Sequence, residues 1–207
     1  MSQKEKANNF QLKGKVIFFA TNNYNKFNEA RKILAEYKIA VGMLRVKSLE
    51  IQSENLEEIA KASVLDAFKK CNLPIIVEDA GLFIESLNGF PGPYASYVYQ
   101  SIGNEGVLRL MENKENRNAK FQSVIAYHSQ ELKEPLIFKG EVPGRITREK
   151  HRGNSGFGFD PIFEPLGGNG KTFAEMTVEE KNRFSHRAKA LKKFAEWYSG
   201  KNEKPQV

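Results

Sequence analysis

The feature that most limits the fold is an abrupt change of period near the start of the chain. Val16-Ile17-Phe18-Phe19-Ala20 is an unbroken apolar run rich in strand formers. A run this short and this apolar reads as a strand buried on both faces. Thr21 to Asn25 is polar, and from Lys26 onward Phe27, Ala30, Leu34 and Tyr37 fall at helical spacing. Strand, loop and helix in that order is the unit from which α/β sheets are assembled.

The pattern recurs and then changes. Ile39 to Val46 reads as a second strand, and Leu56 to Lys70 as a helix with Leu56, Ile59, Ala60, Ser63, Val64 and Ala67 on one face. Pro74 stops that helix, and Ile75-Ile76-Val77 is another buried strand. Leu82 to Leu87 is strand-like, Asn88-Gly89 and Pro91-Gly92-Pro93 are turn signals, and Asn104 to Met111 suggests a short helix. Phe121 to His128 and Leu136 to Val142 read as an antiparallel pair around polar Ser129 to Glu134. A final helix opens on a Thr177/Glu180 capping box and carries Phe184, Ala188, Leu191 and Phe194 on one face. Early alternation followed by neighbour pairing predicts a mixed α/β sheet. Residues 1–14 read as a flexible lead-in, 15–200 as one domain and 201–207 as a frayed tail. With 207 residues and 40% hydrophobic content, one sizeable core suffices, burying roughly 70% of the unfolded surface.

The formal charge is +7, which favours phosphate-bearing partners. The excess is partly terminal, in Lys4, Lys6, Lys13 and Lys15 and in Lys192, Lys193, Lys201 and Lys204. No basic stripe interleaved with aromatics stands out, so no stable nucleic-acid partner is expected. The single cysteine, Cys71, excludes an internal disulfide and suits a reducing compartment. No apolar run approaches the ~20 residues that span a bilayer, and Met1 to Phe10 lacks a signal-peptide core. A soluble, cytoplasmic protein without a membrane partner is the expectation. His128 and His151 stand alone, which speaks against zinc.

Four segments have the residue types for chemistry. Thr21-Asn22-Asn23-Tyr24-Asn25-Lys26 lies where a strand meets a helix start, where unpaired N–H groups attract anions. The same segment also reads as an ordinary turn with asparagine caps. Glu78-Asp79-Ala80-Gly81 places two carboxylates directly after a buried strand. Magnesium commonly takes one or two carboxylates plus substrate phosphates, but two solvated acids at a strand end fit equally well. Ser155-Gly156-Phe157-Gly158-Phe159-Asp160-Pro161 alternates glycine with aromatics. Its rings suit either stacking on a base or a bulged core strand. Lys181 to Arg187, with His186, is a basic cluster suited to phosphates and carbonyl oxygens or to a solvated helix face.

Taken together and in order, these segments resemble the inosine triphosphate pyrophosphatase family, over about Val16 to Leu191. The stretch Asn88-Gly89-Phe90-Pro91-Gly92-Pro93-Tyr94 belongs to the same likeness. The resemblance implies an elongated mixed β-sheet flanked by helices, with two lobes around a central nucleotide-binding cleft, usually as a homodimer. It implies magnesium-dependent hydrolysis of deaminated purine nucleoside triphosphates (ITP, dITP, XTP) to the monophosphate and pyrophosphate, which cleanses the nucleotide pool. By position, Thr21 to Lys26 corresponds to the triphosphate loop and Glu50 to a second magnesium carboxylate. Asp79 corresponds to the metal-linked general base, with Ala80 beside it as a substrate neighbour. Phe157, Gly158, Phe159 and Asp160 with His186 and Arg187 correspond to the base pocket, and Lys181 to a further substrate contact. Two positions depart from the family's pattern: Ala80 replaces a usual Ser or Thr, and Ser63 stands where a helix lysine is common, with Lys61 and Lys69 as imperfect candidates for it.

Overall fold

The computed structural model describes residues 16–46, 48, 49, 51–153 and 156–203. The lead-in 1–14, Ser155, Glu50 and the last four residues of the tail lie outside them. Strands β1 (Val16–Ala20), β2 (Ala40–Leu44), β3 (Ile75–Ile84), β4 (Pro91–Gly92), β5 (Asn118–His128), β6 (Leu136–Ile146) and β7 (Phe163–Pro165) alternate with helices α1 (Tyr24–Glu36), α2 (Leu56–Cys71), α3 (Ala95–Leu110), α4 (Val178–Asn182) and α5 (His186–Glu203). The strands form one seven-stranded sheet in the order β2-β1-β3-β5-β6-β7, with β4 pairing β3. β1 runs parallel to β2 and β3, and the pairings beyond are antiparallel. The expected mixed sheet is therefore present.

Local chemistry explains the helices. Asn23 caps α1 by accepting from the Lys26 N–H at 3.1 Å, which satisfies one donor of the open first turn. Asn55 caps α2, and Asn72 closes it in the left-handed conformation, at φ 53°. Glu57 and Glu58 at the start of α2, with Lys69 and Lys70 at its end, complement the helix dipole. Thr177 and Glu180 form the expected reciprocal capping box on α4. Among the described residues, no helix is long and apolar enough to cross a membrane.

Helices cover both faces of the sheet. α1 and α5 bury Ile17, Phe19, Ile33, Leu34, Ile76, Ile125, Leu191 and Phe194 against one face. α2 buries Val64 and Ala67 against Ile75, Val77, Val124 and Ala126 on the other. A separate distal core holds Leu82, Ile84, Val107, Phe121, Phe163 and Phe173. Full burial of each such side chain contributes about 1.5–3 kcal/mol.

Three elements differ from the sequence expectation. Ile75-Ile76-Val77 and the strand-like Leu82 segment are one continuous β3, paired with β5 from Ile75 to Ile84, so Glu78 and Asp79 lie inside a strand rather than after one. α3 begins at Ala95, well before Asn104; a break at Gly103 (φ 63°, ψ −165°) interrupts its period. The final helix is two helices. Arg183 to Ser185 break it, and the Ser185 hydroxyl accepts from the Ala188 N–H at 3.2 Å, a new N-cap that starts α5. That helix continues through residue 203.

Candidate active site

The site forms where β3 loses a neighbour. β1 pairs β3 only at Ile75 and Ile76, and β4 pairs it only at Leu82 and Phe83. Between them, the edge of β3 at 78–80 carries no paired strand among the described residues, while β5 continues on its other side. Gly81 permits this arrangement: a Cβ there would lie 2.6 Å from the Gly92 carbonyl oxygen. Its role is to let β4 approach closely.

Side chains alternate across a strand, and this separates the two acids. Ile76 belongs to the α1/α5 core and Ile75 and Val77 to the α2 core. Glu78 therefore faces α1 and α5, and Asp79 faces α2. Glu78 is wholly committed. It meets Lys26 Nζ at 2.8 Å and Arg187 Nε at 3.0 Å, and accepts from the Ser123 hydroxyl at 2.7 Å. Burial raises its pKa, but Arg187 and then Lys26 overcome that and hold the carboxyl far below the usual carboxylate range. Ser123 lies directly across from Ala80 in the β3–β5 register. A hydroxyl thus stands opposite the residue that lacks one, and it is bonded to Glu78.

On the α2 face, Ser63 Oγ donates to the Leu49 carbonyl at 3.0 Å, and Asp66 Oδ2 accepts from the Leu49 N–H at 2.7 Å. Both hydrogen-bonding groups of Leu49 are held by α2, next to position 50 and on the face that Asp79 shares. Ser63, where the resemblance implied a helix lysine, is a clamp for this segment. Glu50 itself lies outside the described residues.

The opposite face carries a buried charge network. Lys181 lies in the last turn of α4 and Arg187 in the first turn of α5, and the corner between the helices brings them together. Lys181 Nζ meets Asp160 at 2.7 Å and Glu29 at 2.9 Å. Arg187 Nη1 meets Glu29 at 2.5 Å. Three cations (Lys26, Lys181, Arg187) thus face three carboxylates (Glu78, Glu29, Asp160). Burial raises the Glu29 pKa, and Arg187 and Lys181 more than reverse it, leaving the group below its usual range. Burial disfavours the Arg187 cation, but Glu78 and Glu29 raise its pKa further still. Glu29 escapes sequence reading because it is one polar residue among many on α1. Its burial depends on α5 folding back over it.

Phe157 lies over both cations, with Lys181 Nζ 4.7 Å and the Arg187 guanidinium 5.4 Å from its ring centre. Phe157 N–H donates to Asp160 Oδ2 at 2.8 Å. Phe159 and His186 sit deeper. Phe159 is buried in the distal core, and the His186 ring stacks on Phe121 at 4.6 Å. Burial, then Arg187 and Lys181, push the imidazole well below its ordinary pKa of 6.5, so His186 is neutral. Of the residues expected to form a phosphate loop, Thr21 Oγ1 accepts from the Asn23 N–H at 3.1 Å, and Tyr24 is 65% exposed at the first position of α1. Asn22 lies in the bend between β1 and α1, and Asn25 in the first turn of α1.

Among the described residues no group of three or more His, Cys, Asp or Glu side chains forms a closed metal cage. Magnesium brought in by a triphosphate does not need one, because substrate phosphates and waters complete its shell. A half-buried Asp79 on an open strand edge fits that donor set.

Comparison with known proteins places the chain in a family. Residues 17–197 match the model of the Ham1 family. The chain is 52% identical to a dITP/XTP pyrophosphatase of Methanopyrus kandleri, over 88% of this chain and 95% of that protein. It is 49% identical to one of Thermococcus kodakarensis, over 87% and 96% respectively. The solved structure of a HAM1 protein from Coxiella burnetii superimposes with a TM-score of 0.77 at 30% identity, covering 89% of this chain and 98% of that one. The Staphylococcus aureus Ham1 protein gives 0.75 at 31% identity, covering 90% and 100%. A family match over most of the length bears out the resemblance seen in the sequence: the chain belongs to the Ham1 family.

Proposed function

We propose that this protein hydrolyses dITP, ITP and XTP to the nucleoside monophosphate and pyrophosphate, with Asp79 as the catalytic carboxylate. One observation carries the assignment. Of two adjacent acids, Glu78 is consumed by Lys26, Arg187 and Ser123, while Asp79 points to the other face, where α2 anchors Leu49. The relatives named dITP/XTP pyrophosphatase support the substrate class.

Asp79 and Glu50 would hold magnesium (Mg²⁺). When bound, the ion neutralises phosphate charge and acidifies water. The protein's own part is positioning and proton handling. The α1 N-terminus, from Thr21 to Lys26, presents N–H groups and a lysine to the phosphates. Asp79 orients a water and accepts its proton. Arg187 has only donors, five N–H groups, so it suits a 6-keto oxygen and opposes the amino group of adenine. Phe157 offers a ring face to the purine. The base must compete with Glu29 and Asp160 for cations that are already paired, which favours ligands supplying a strong acceptor. The family-implied homodimer, a reducing cytoplasmic setting and the absence of a stable nucleic-acid partner complete the reading.

A pyrophosphate-release assay over ITP, dITP, XTP, ATP and GTP, with and without magnesium, tests it. ITP, dITP and XTP should exceed ATP in kcat/KM by at least about 100-fold, as expected where polar groups of a site would be left unpaired, and should also exceed GTP. Equal rates on ATP, or release of orthophosphate alone, would refute the proposal.

A further inference from the structure

Helix α3 reaches the Phe157–Asp160 turn at two points that the proposed chemistry does not use. Asn104, buried at 6% exposure, follows the break at Gly103, and its Nδ2 donates to the Gly158 carbonyl oxygen at 3.2 Å. Tyr99, before the break, meets the Phe159 ring edge-on at 5.5 Å. The break aims both residues at one turn. Gly103 adopts φ 63° with ψ −165°, a conformation essentially confined to glycine. A straight helix would rotate Asn104 off the line that Tyr99 defines.

The turn it holds is central to the cation cluster. Gly158 is left-handed, at φ 62°, and lies between Phe157, whose ring covers Lys181, and Asp160, whose Oδ2 takes both the Phe157 N–H and Lys181. Fixing the Gly158 carbonyl fixes the tilt of the Phe157 ring and the reach of Asp160 together. Further on, His151 N–H donates to the Pro161 carbonyl and Thr147 N–H to the Ile162 carbonyl, each at 2.9 Å. Asn104 holds the tip of the turn, at the Gly158 carbonyl.

We infer that Asn104 is a positioning residue for purine recognition. It sets affinity and base discrimination through the Phe157–Asp160 turn, and leaves the phosphoryl step to Asp79 on the opposite face of the strand. The inference rests on reading that turn as part of the base pocket. Asn104→Asp is the sharpest probe: it keeps the shape, removes the donor and sets a carboxylate against a carbonyl oxygen. Asn104→Ala removes the side chain. Tyr99→Leu perturbs the same turn from a partly exposed position and leaves the buried amide untouched.

The experiment measures kcat and KM for ITP and GTP, and the affinity for IMP by calorimetry without metal, for wild type and all three variants. Melting temperatures are recorded alongside. Asn104→Asp should raise the KM for ITP and the Kd for IMP by about 10- to 100-fold, the scale of one lost hydrogen bond with repulsion added. Its kcat should stay within about threefold, and the ITP-to-GTP ratio of kcat/KM should narrow. The other two variants should move the same way by less. Wild-type turnover of ITP comes first; its failure sinks the functional reading rather than the role of Asn104. If wild type is active and soluble variants keep its KM, IMP affinity and base preference, Asn104 is not a positioning residue. A fall in kcat alone would overturn that role equally. Should Asn104→Asp fail to fold, Asn104→Ala and Tyr99→Leu decide by the same criteria.

Discussion

Lys181 divides its ammonium between Asp160 and Glu29, and Arg187 divides its guanidinium between Glu29 and Glu78. Each of these charges is tolerable in the interior only because the others are present. Lys181→Met removes one cation and leaves Glu29 and Asp160 facing each other across its space. Breaking a buried pair in this way costs about 3–5 kcal/mol, so denaturant unfolding should show a loss of that order; a change below about 1 kcal/mol would mean that the network is not a structural unit. The residues of this network are unequally visible in the sequence. Lys26, Asp160, Lys181 and Arg187 stand in short segments with unusual neighbours. Glu29 sits in an amphipathic run where an acid is unremarkable, and only the packing of α5 on α1 makes it a shared counter-ion. The split between Glu78 and Asp79 is hidden too, because it depends on whether the strand ends before the acids or runs through them.

At the scale of elements, the start of α5 matters most. It lies on β6 so closely that a Cβ on Gly140 would fall 2.1 Å from the His186 carbonyl oxygen and 2.5 Å from the Ala190 nitrogen. Backbone atoms of a helix cannot give way by so much without moving the helix. Gly140→Ala should destabilise the fold by about 1–3 kcal/mol and lower activity by shifting Arg187. Thermal melting and ITP turnover check this, and wild-type values for both would contradict such a close seating of α5. The elements most easily read from sequence are those with strong local signals: β1, α2 and the α4 capping box. The break between α4 and α5 is not legible there because its apolar positions continue in near-helical register across it, and only the capping bond from Ser185 reveals the turn. α3 reads short because Gly103 resets its phase and because its first half exposes Tyr97 and Ile102.

For the whole molecule, one sheet carries two faces of helices and a distal core, and the candidate site lies where they meet. Stability should therefore report on the buried charges. His186 is neutral in the fold, with its pKa pressed below 6.5, first by burial and then by Arg187 and Lys181. Its contribution is complete above pH 6.5 and declines below it, as the unfolded chain takes up a proton that the fold refuses. Glu29 and Glu78 are held below their ordinary 4.5 despite burial, by Arg187 with Lys181 and Lys26 respectively. Their contribution is complete above that value and is lost as pH falls beneath it. Melting temperature should fall gently between pH 6.5 and 4.5 and steeply below. His186→Gln should flatten only the first limb; a flat profile down to pH 4 would contradict the network.

The central claim is that Asp79, and not its neighbour, is the catalytic carboxylate. Asp79→Asn changes one atom on the open edge of β3 and leaves every ion pair of Glu78 in place. Its kcat for pyrophosphate release from ITP, measured beside its melting temperature, is the most direct test. Loss of a general base lowers rates by about 100- to 10,000-fold, and the expected result is a fall of at least about 1,000-fold with a melting temperature within a few degrees of wild type. A well-folded Asp79→Asn protein that keeps more than about a tenth of wild-type turnover would contradict the claim.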